Sequence, residues 1–391
     1  MKTGTKKRLP SGKERSRKKP TSSGERLPTM MRAVVKTQAA PGPKATEVRT
    51  VPVPQPGQAE VLLKVLATAV CGSDKHIYQW DPSMAGMVQP PRIYGHEFCG
   101  EIVAFGPGGK RPHLEKGMYV SAEMHVTCGH CRPCRTGQRH ICENTRILGV
   151  HDDGCFAQYV VVPAFNVVPI DRDVVPVRVG AFLDALGNAV HTTQVADLSG
   201  RSVAVLGYGP IGAMCAEIAR MSGASHIAIT EVNPQAAAHA REWARSRGLP
   251  HVSVIELGRT KDPVGSLRDA TGGGADVVLE LSGAEASINL GLAAARRGAT
   301  ISLLGLPREK SVTIHDYTND FIFKGLVLHA VIGRHIFETW IKMLDLLRAG
   351  LNVEHLVTNE FEGLENFHEA MALLDDRRAM KVVFYPNGKP K

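Results

Sequence analysis

The stretch Gly207-Tyr208-Gly209-Pro210-Ile211-Gly212 constrains the fold of this chain more than any other, because of where it stands. It follows an apolar run at residues 203–206 and opens a helix-like segment at 210–222. In that setting Gly207 permits a tight turn, Gly209 lets backbone approach a pyrophosphate, and Gly212 lets helix and strand pack closely. The next apolar run ends at Glu231, nineteen residues past Gly212. A carboxylate there accepts the hydroxyls of an adenosine ribose and repels a 2′-phosphate, so NAD is expected rather than NADP. A glycine turn without a ligand is the plainer alternative. Further strand-like runs at 202–206, 227–230, 252–255, 276–280 and 300–304 alternate with helical stretches such as 235–247, the rhythm of a doubly wound parallel sheet in an α/β fold.

The first half reads differently. Short β-rich runs at 32–37, 48–53, 61–68, 101–105, 118–121 and 159–162 are separated by Pro-Gly punctuation, which predicts a barrel-like β domain. After the parallel sheet come amphipathic helices at 336–349 and 364–375 and a closing strand at 381–385. The expected boundaries are therefore 31–183 with 332–391 for the β-rich domain, and 184–331 for the dinucleotide domain.

Two clusters carry metal chemistry. Cys128, Cys131, Cys134 and Cys142 sit in a C-x2-C-x2-C-x7-C window with Gly129, Pro133 and Gly137, a turn-rich loop suited to a closed, structural four-thiolate zinc. A disulfide pair, an iron–sulfur cluster and four unrelated buried thiols are the rivals. Disulfides are disfavoured without a visible secretory signal, and the spacing departs from iron–sulfur patterns. Separately, Cys71 with His96 and Glu97 offers thiolate, imidazole and carboxylate, the ligand types of a three-ligand catalytic zinc with an open position. An alcohol polarised there becomes a hydride donor to a nicotinamide. Ser73 and His76, two and five residues after Cys71, could relay the proton outward. Asp184 lies where the two domains join, placed to orient that relay or to serve as a fourth ligand. Ser73 as a simple helix cap is the bland alternative.

The formal charge of +9 is not spread over the chain. Residues 1–30 hold ten Lys or Arg and only two acids, Glu14 and Glu25, so eight of the excess charges belong to this tail. Its Lys, Arg, Ser, Gly and Pro predict disorder, and Met30 and Met31 leave open a start after it. Nucleic-acid binding through the tail is the remote alternative. No run reaches the ~20 apolar residues of a membrane span, and a cytoplasmic protein is expected.

With these residues in view, the chain resembles the medium-chain zinc-dependent alcohol dehydrogenase superfamily from about Met31 to Tyr385, and within it the branch that acts on L-threonine. The segments that carry this narrower likeness are 71–78, 125–131, 163–166, 187–192 and Phe337-Glu338-Thr339-Trp340. The resemblance implies a GroES-like catalytic domain beside a Rossmann domain, and oxidation of the threonine β-hydroxyl by NAD to 2-amino-3-ketobutyrate. It implies zinc at Cys71, His96 and Glu97 and a relay of Ser73, His76 and Asp184. NAD contacts are implied at Ile211, Glu231, Leu304, Gly305, Leu306, Val331 and Ile332, a substrate contact at His125, and a homotetramer. Ser73 replaces a usual Thr, Glu231 a usual Asp, Ala236 a usual Arg, and Ile332 a frequent Tyr. The missing Arg predicts weaker NAD affinity. A polyol or 2,3-butanediol as substrate would use the same metal and cofactor motifs.

Overall fold

The computed structural model describes residues 27–307 and 309–390, so the expectation of a disordered tail lies outside the described residues for 1–26. Six strands form one parallel sheet, in the spatial order Val252–Glu256, His226–Glu231, Ser202–Leu206, Ala275–Glu280, Ala295–Leu303, Val327–Ala330. Counted along the chain this order is 3-2-1-4-5-6, which reverses direction at Ser202–Leu206. The crevice at the carboxyl end of that strand is where such sheets bind nucleotides.

The strands are apolar on both faces because both are covered. Val203, Val205, Ile227, Ile229, Val277 and Leu279 bury into one helix layer, and the alternate positions Ala204, Leu206, Ala228 and Val278 into the other. The first core continues into the β-rich part through Phe182, Leu186, Val190, Trp340, Leu66 and Cys99, so the two halves share apolar packing. Each large side chain buried there contributes about 1.5–3 kcal/mol.

The β-rich part comprises a seven-stranded sheet, a three-stranded sheet and a two-stranded ribbon. Its centre is Glu60–Ala69, antiparallel to Glu97–Phe105, Tyr159–Pro163 and the closing strand Lys381–Tyr385. The chain's last strand thus returns to pair with Glu60–Ala69 in the first half.

Element limits differ from the sequence reading mainly at ends. The strand expected at 300–304 starts at Ala295, and the helices expected from 336 and 364 start at Glu338 and Phe367. Helix Leu183–Thr193, which bridges the halves, carries no clear apolar stripe because all but Asn188 of its eleven residues are buried. Six strands have no counterpart in the sequence reading: the two- and three-residue strands Arg92–Ile93, His125–Val126, Arg146–Ile147 and Val167–Pro169, and Val327–Ala330 and Val357–Glu362, neither of which fully buries a residue.

Candidate active site

Strand register builds the metal trio. Ala69 pairs with Glu97, so Cys71, two residues past the end of its strand, meets His96 and Glu97 at the start of the neighbouring one. Ligand atoms of Cys71, His96 and Glu97 lie within 4.8 Å of one another. On the other side Val383 pairs with Ala69; continuing the register by two residues sets Lys381 against Cys71. Lys381 is buried, donates to the Val70 carbonyl at 3.1 Å and ion-pairs with Glu97 Oε2.

The helix Gly72–Gln79 starts at this point. Asp74 Oδ2 accepts the Cys71 N–H at 2.8 Å, which fixes the turn that presents the thiol. Its other oxygen lies 3.6 Å from His96 Nδ1, a carboxylate positioned behind an imidazole ligand. Burial pushes the Asp74 carboxyl up to about 6. Burial alone would lower His96; the charges of Asp74, Cys71 and Asp184 overcome it and draw the ring up to about 10. Burial likewise opposes the charge on Lys381, and Glu97 outweighs it, raising the ammonium.

These groups fit a dication. Around the trio, the buried carboxylates Asp74, Glu97, Asp184 and Glu123 outnumber the buried cations Arg334 and Lys381, even with the raised His96 counted among them. Among the described residues, His96 Nδ1, Glu97 Oε1 and Asp74 Oδ1 are buried without hydrogen-bond partners. Buried polar atoms rarely stay unpaired, and a bound ion answers for such a set.

Among the described residues, Ser73 and His76 make no direct hydrogen bond and occupy different ends of the helix start. Ser73 Oγ sits 3.3 Å from His96 Nε2, whereas His76 is half exposed and bonds Asp81 Oδ2 at 3.1 Å. Three residues apart, the two side chains share a helix face, and the rise of about 4.5 Å between them sets His76 farther along the axis from the trio, where it is half exposed. Asp184 lies on helix Leu183–Thr193, where the two halves meet, and its charge acts on His96. It is buried, and its Oδ1 lies 2.7 Å from Arg334 Nη2, so the carboxylate is engaged by a guanidinium instead of Ser73 or His76.

Arg334 organises the floor of the site. Its Nε and Nη2 donate to the two oxygens of Glu123 at 2.9 and 2.7 Å, and Nη1 donates to the Asp184 carbonyl at 3.0 Å. Gly187 is required for this approach, because a Cβ there would lie 2.2 Å from Arg334 Cδ. Glu123 also accepts Trp340 Nε1–H at 2.7 Å and holds His125 Nδ1 at 2.6 Å. Burial would raise the Glu123 carboxyl, yet Arg334 and His125 hold it far below the usual carboxylate range. Asn166 donates to the carbonyls of Glu123 and His125 at 2.7 and 2.9 Å, fixing their backbone. His125 is therefore buried and oriented, with Nε2 as its remaining nitrogen.

At the nucleotide end, Gly207 has a φ of +98°, and a Cβ at Gly212 would come within 2.0 Å of the Gly207 carbonyl. Nothing lies within 4 Å of a Cβ built on Gly209, so this backbone is open to a ligand. Pro210 opens the helix Pro210–Met221, whose first N–H groups face that opening, with Ile211 half-buried beside it. Glu231 closes the turn by accepting from the N–H groups of Tyr208, Val232 and Asn233 at 2.7–2.8 Å. Leu304, Gly305 and Leu306 follow the strand Ala295–Leu303, with Leu306 87 % exposed. Val331 is buried and donates to the Leu303 carbonyl at 2.9 Å, while Ile332 is 58 % exposed. Only Ile332 and Gly333 lie between Val331 and Arg334, so one short segment ties the end of the parallel sheet to the floor of the metal site.

The cysteine lobe stands apart. Cys128 and Cys142 sulfurs are 3.5 Å apart, and those of Cys131 and Cys142 3.8 Å. A tetrahedral zinc with Zn–S of about 2.3 Å implies edges of about 3.8 Å. All four thiols are free, which corrects the disulfide alternative. Backbone N–H groups of His130 and Cys131 bring the Cys128 thiol down to about 5.

Asp74, Glu123, Arg334 and Lys381 were missed as site residues. Asp74 had a signal, an acid three residues into a helix begun by a ligand; Arg334 and Lys381 lie 211 and 284 residues from the acids they serve, beyond any local pattern.

Known proteins agree with this architecture. The profile described as "Alcohol dehydrogenase GroES-like domain" matches residues 57–172, and "Zinc-binding dehydrogenase" matches 210–349. A protein of Thermococcus kodakarensis named L-threonine 3-dehydrogenase is 41% identical over 91% of this chain and 98% of its own length. One of the same name from Symbiobacterium thermophilum is 43% identical over 92% and 99%. Among solved structures, an alcohol dehydrogenase from Thermus sp. ATN1 superposes with a TM-score of 0.78 at 28% identity, covering 91% of this chain and 99% of that one. The chain belongs to the zinc-dependent alcohol dehydrogenase family.

Proposed function

We propose that the chain oxidises the β-hydroxyl of L-threonine with NAD, yielding 2-amino-3-ketobutyrate and NADH. The convergence of Cys71, His96 and Glu97, with unpaired buried atoms on His96 and Glu97, carries this reading. The name of the two relatives supports the choice of substrate. A zinc ion held by these three residues would supply Lewis acidity toward the substrate hydroxyl. Ser73, against the His96 ring, receives the hydroxyl proton at Oγ, and His76 at the solvent boundary is the outer station of its path. Asp184 acts at one remove, holding Arg334 and adding negative charge behind His96. His125, fixed by Glu123 at Nδ1, meets the substrate through Nε2. On the cofactor side Gly207, Gly209, Gly212 and Ile211 bracket the pyrophosphate, and Glu231 takes the adenosine ribose. Leu304, Gly305, Leu306, Val331 and Ile332 then cover the nicotinamide half. Cys128, Cys131, Cys134 and Cys142 hold a second, structural zinc. Residues 31–183 and 332–391 form the catalytic domain and 184–331 the NAD domain of a cytoplasmic homotetramer. Among the described residues no helix is long and apolar enough to cross a membrane.

The test is NADH formation by zinc-loaded protein with L-threonine, D-threonine, sorbitol, 2,3-butanediol and ethanol. L-Threonine is expected to give the highest kcat/KM. A polyol or the diol equalling it sinks the substrate assignment while leaving the alcohol oxidation; no turnover of any alcohol sinks both.

A further inference from the structure

Behind the active site, three histidines from separate parts of the chain meet. His140 comes from the 3-10 turn of the cysteine lobe, His191 from the last turn of helix Leu183–Thr193, and His335 from the segment after Arg334. Each offers a ring nitrogen, and the three lie within 4.8 Å of one another. The rings of His140 and His335 have centroids 4.2 Å apart, and those of His191 and His335 4.5 Å. Sixteen histidines in the chain make one chance neighbour unremarkable, but a triple meeting of distant segments is not a consequence of abundance.

The hydrogen bonds around the rings are those that ligating histidines make. His191 engages the Gly333 carbonyl through Nδ1 at 2.9 Å, so that nitrogen carries the proton and Nε2 keeps its lone pair. His335 Nδ1 faces the Glu338 carboxylate at 3.9 Å. His140 Nδ1 is buried and has no hydrogen-bond partner among the described residues. The cluster borders a cavity of about 250 Å³ lined by His191, Gln194, Val195, His335, Glu338 and Lys342. Gln194 Oε1 is a second buried atom without a partner. Among the described residues, two buried polar atoms without partners, one beside the cavity and one on the stacked His140 ring, next to a neutral imidazole call for a cation.

We propose that His140, His191 and His335 form a third metal site, for a divalent ion of the zinc, nickel or copper class, which imidazole ligands favour. Metal–nitrogen distances of about 2.0–2.1 Å set ligand nitrogens about 3.4 Å apart. A closing shift of little more than an ångström supplies that geometry, and the cavity supplies the entry path. The ion braces the cysteine lobe against helix Leu183–Thr193 and against the segment that carries Arg334. It sits outside the metal trio and takes no part in the hydride transfer.

The experiment uses full-length, tag-free, zinc-loaded protein, with Ni2+ as the probe, in equilibrium dialysis and calorimetry. The wild type is expected to take up one equivalent of Ni2+ without releasing zinc and to melt at a higher temperature with it. His140→Asn and His335→Asn, each checked for an unchanged melting temperature without nickel, are expected to weaken uptake more than about 100-fold, beyond the cost of losing a supporting group. A wild type that saturates without taking up Ni2+ refutes the site, as does undiminished uptake by a variant that still folds. Neither result bears on L-threonine turnover, which the alcohol panel decides.

Discussion

The cysteine lobe and the trio of Cys71, His96 and Glu97 hold metal-type donors in opposite ways. The lobe draws four thiols from fifteen consecutive residues and supports Cys128 and Cys142 with backbone, through the N–H groups of Cys131, Cys128 and Asn144 at 3.3–3.4 Å from their sulfurs. The trio draws its donors from two strands and is charged by side chains from across the molecule, Asp74, Lys381, Asp184 and Arg334. A site built on local backbone is insensitive to its surroundings. A site built on distant side chains can be tuned, and buried unpaired atoms are the mark of that tuning.

The sharpest break in this comparison is Cys71→Ser against Cys131→Ser. The first is expected to lower kcat more than about 10³-fold while NAD binding survives, because a Lewis acid is worth several kcal/mol. The second is expected to lose one zinc equivalent and some thermal stability, with kcat of the folded protein within a few-fold of wild type. Equal losses of turnover would erase the distinction between the two regions.

Next comes Glu123→Gln. It leaves Arg334 buried with half its partner charge gone, a loss of about 3–5 kcal/mol in urea unfolding, with zinc in the cysteine lobe unchanged. The sign with pH follows from the carboxyl's depressed value. Its stabilisation is complete above the unfolded value of about 4.3 and is lost as pH falls from there toward the folded one. The gap between wild type and variant should therefore narrow in acid below about pH 4. A gap that stays constant from neutral pH to pH 3 would remove Glu123 as an ionised anchor.

These contrasts explain what could be read from sequence. The lobe, the glycine turn and strand Lys381–Tyr385 were legible because each is local: spacing, periodicity or turn chemistry states it within a dozen residues. Cys71, His96 and Glu97 were legible as ligand types, and their meeting awaited the Ala69–Glu97 register. Ser73 and His76 were legible as two polar groups on one helix, and their separate places, Ser73 against His96 and His76 at the solvent boundary, awaited the structure. Arg334 was out of reach, since a single Arg after Gly333 gives no hint of a buried partner at Glu123.

Asp74→Asn tests the tuned side at finer scale. Losing the carboxylate behind His96 is expected to weaken zinc at the trio about 10–100-fold, the usual cost of an outer partner. Competition with a chelator measures it, and an unchanged affinity would mean that His96 needs no charge behind it.

The smallest effect belongs to Asn144→Ala. The Asn144 side chain is the lobe's counterpart of Asp74, its Nδ2 donating to Cys128 Sγ at 3.7 Å. It is neutral, exposed and long for a hydrogen bond, and the neighbouring sulfur Cys142 already receives the Asn144 backbone N–H, which the substitution keeps. Cys128 also retains the N–H groups of His130 and Cys131. With every backbone donor in place, stability should change by less than about 1 kcal/mol and zinc retention by less than about tenfold. The same chelator competition compares it with Asp74→Asn on one scale. An Asn144→Ala loss as large as that of Asp74→Asn would show that the lobe, too, depends on side-chain support, and the separation between a backbone-made site and a side-chain-made site would collapse.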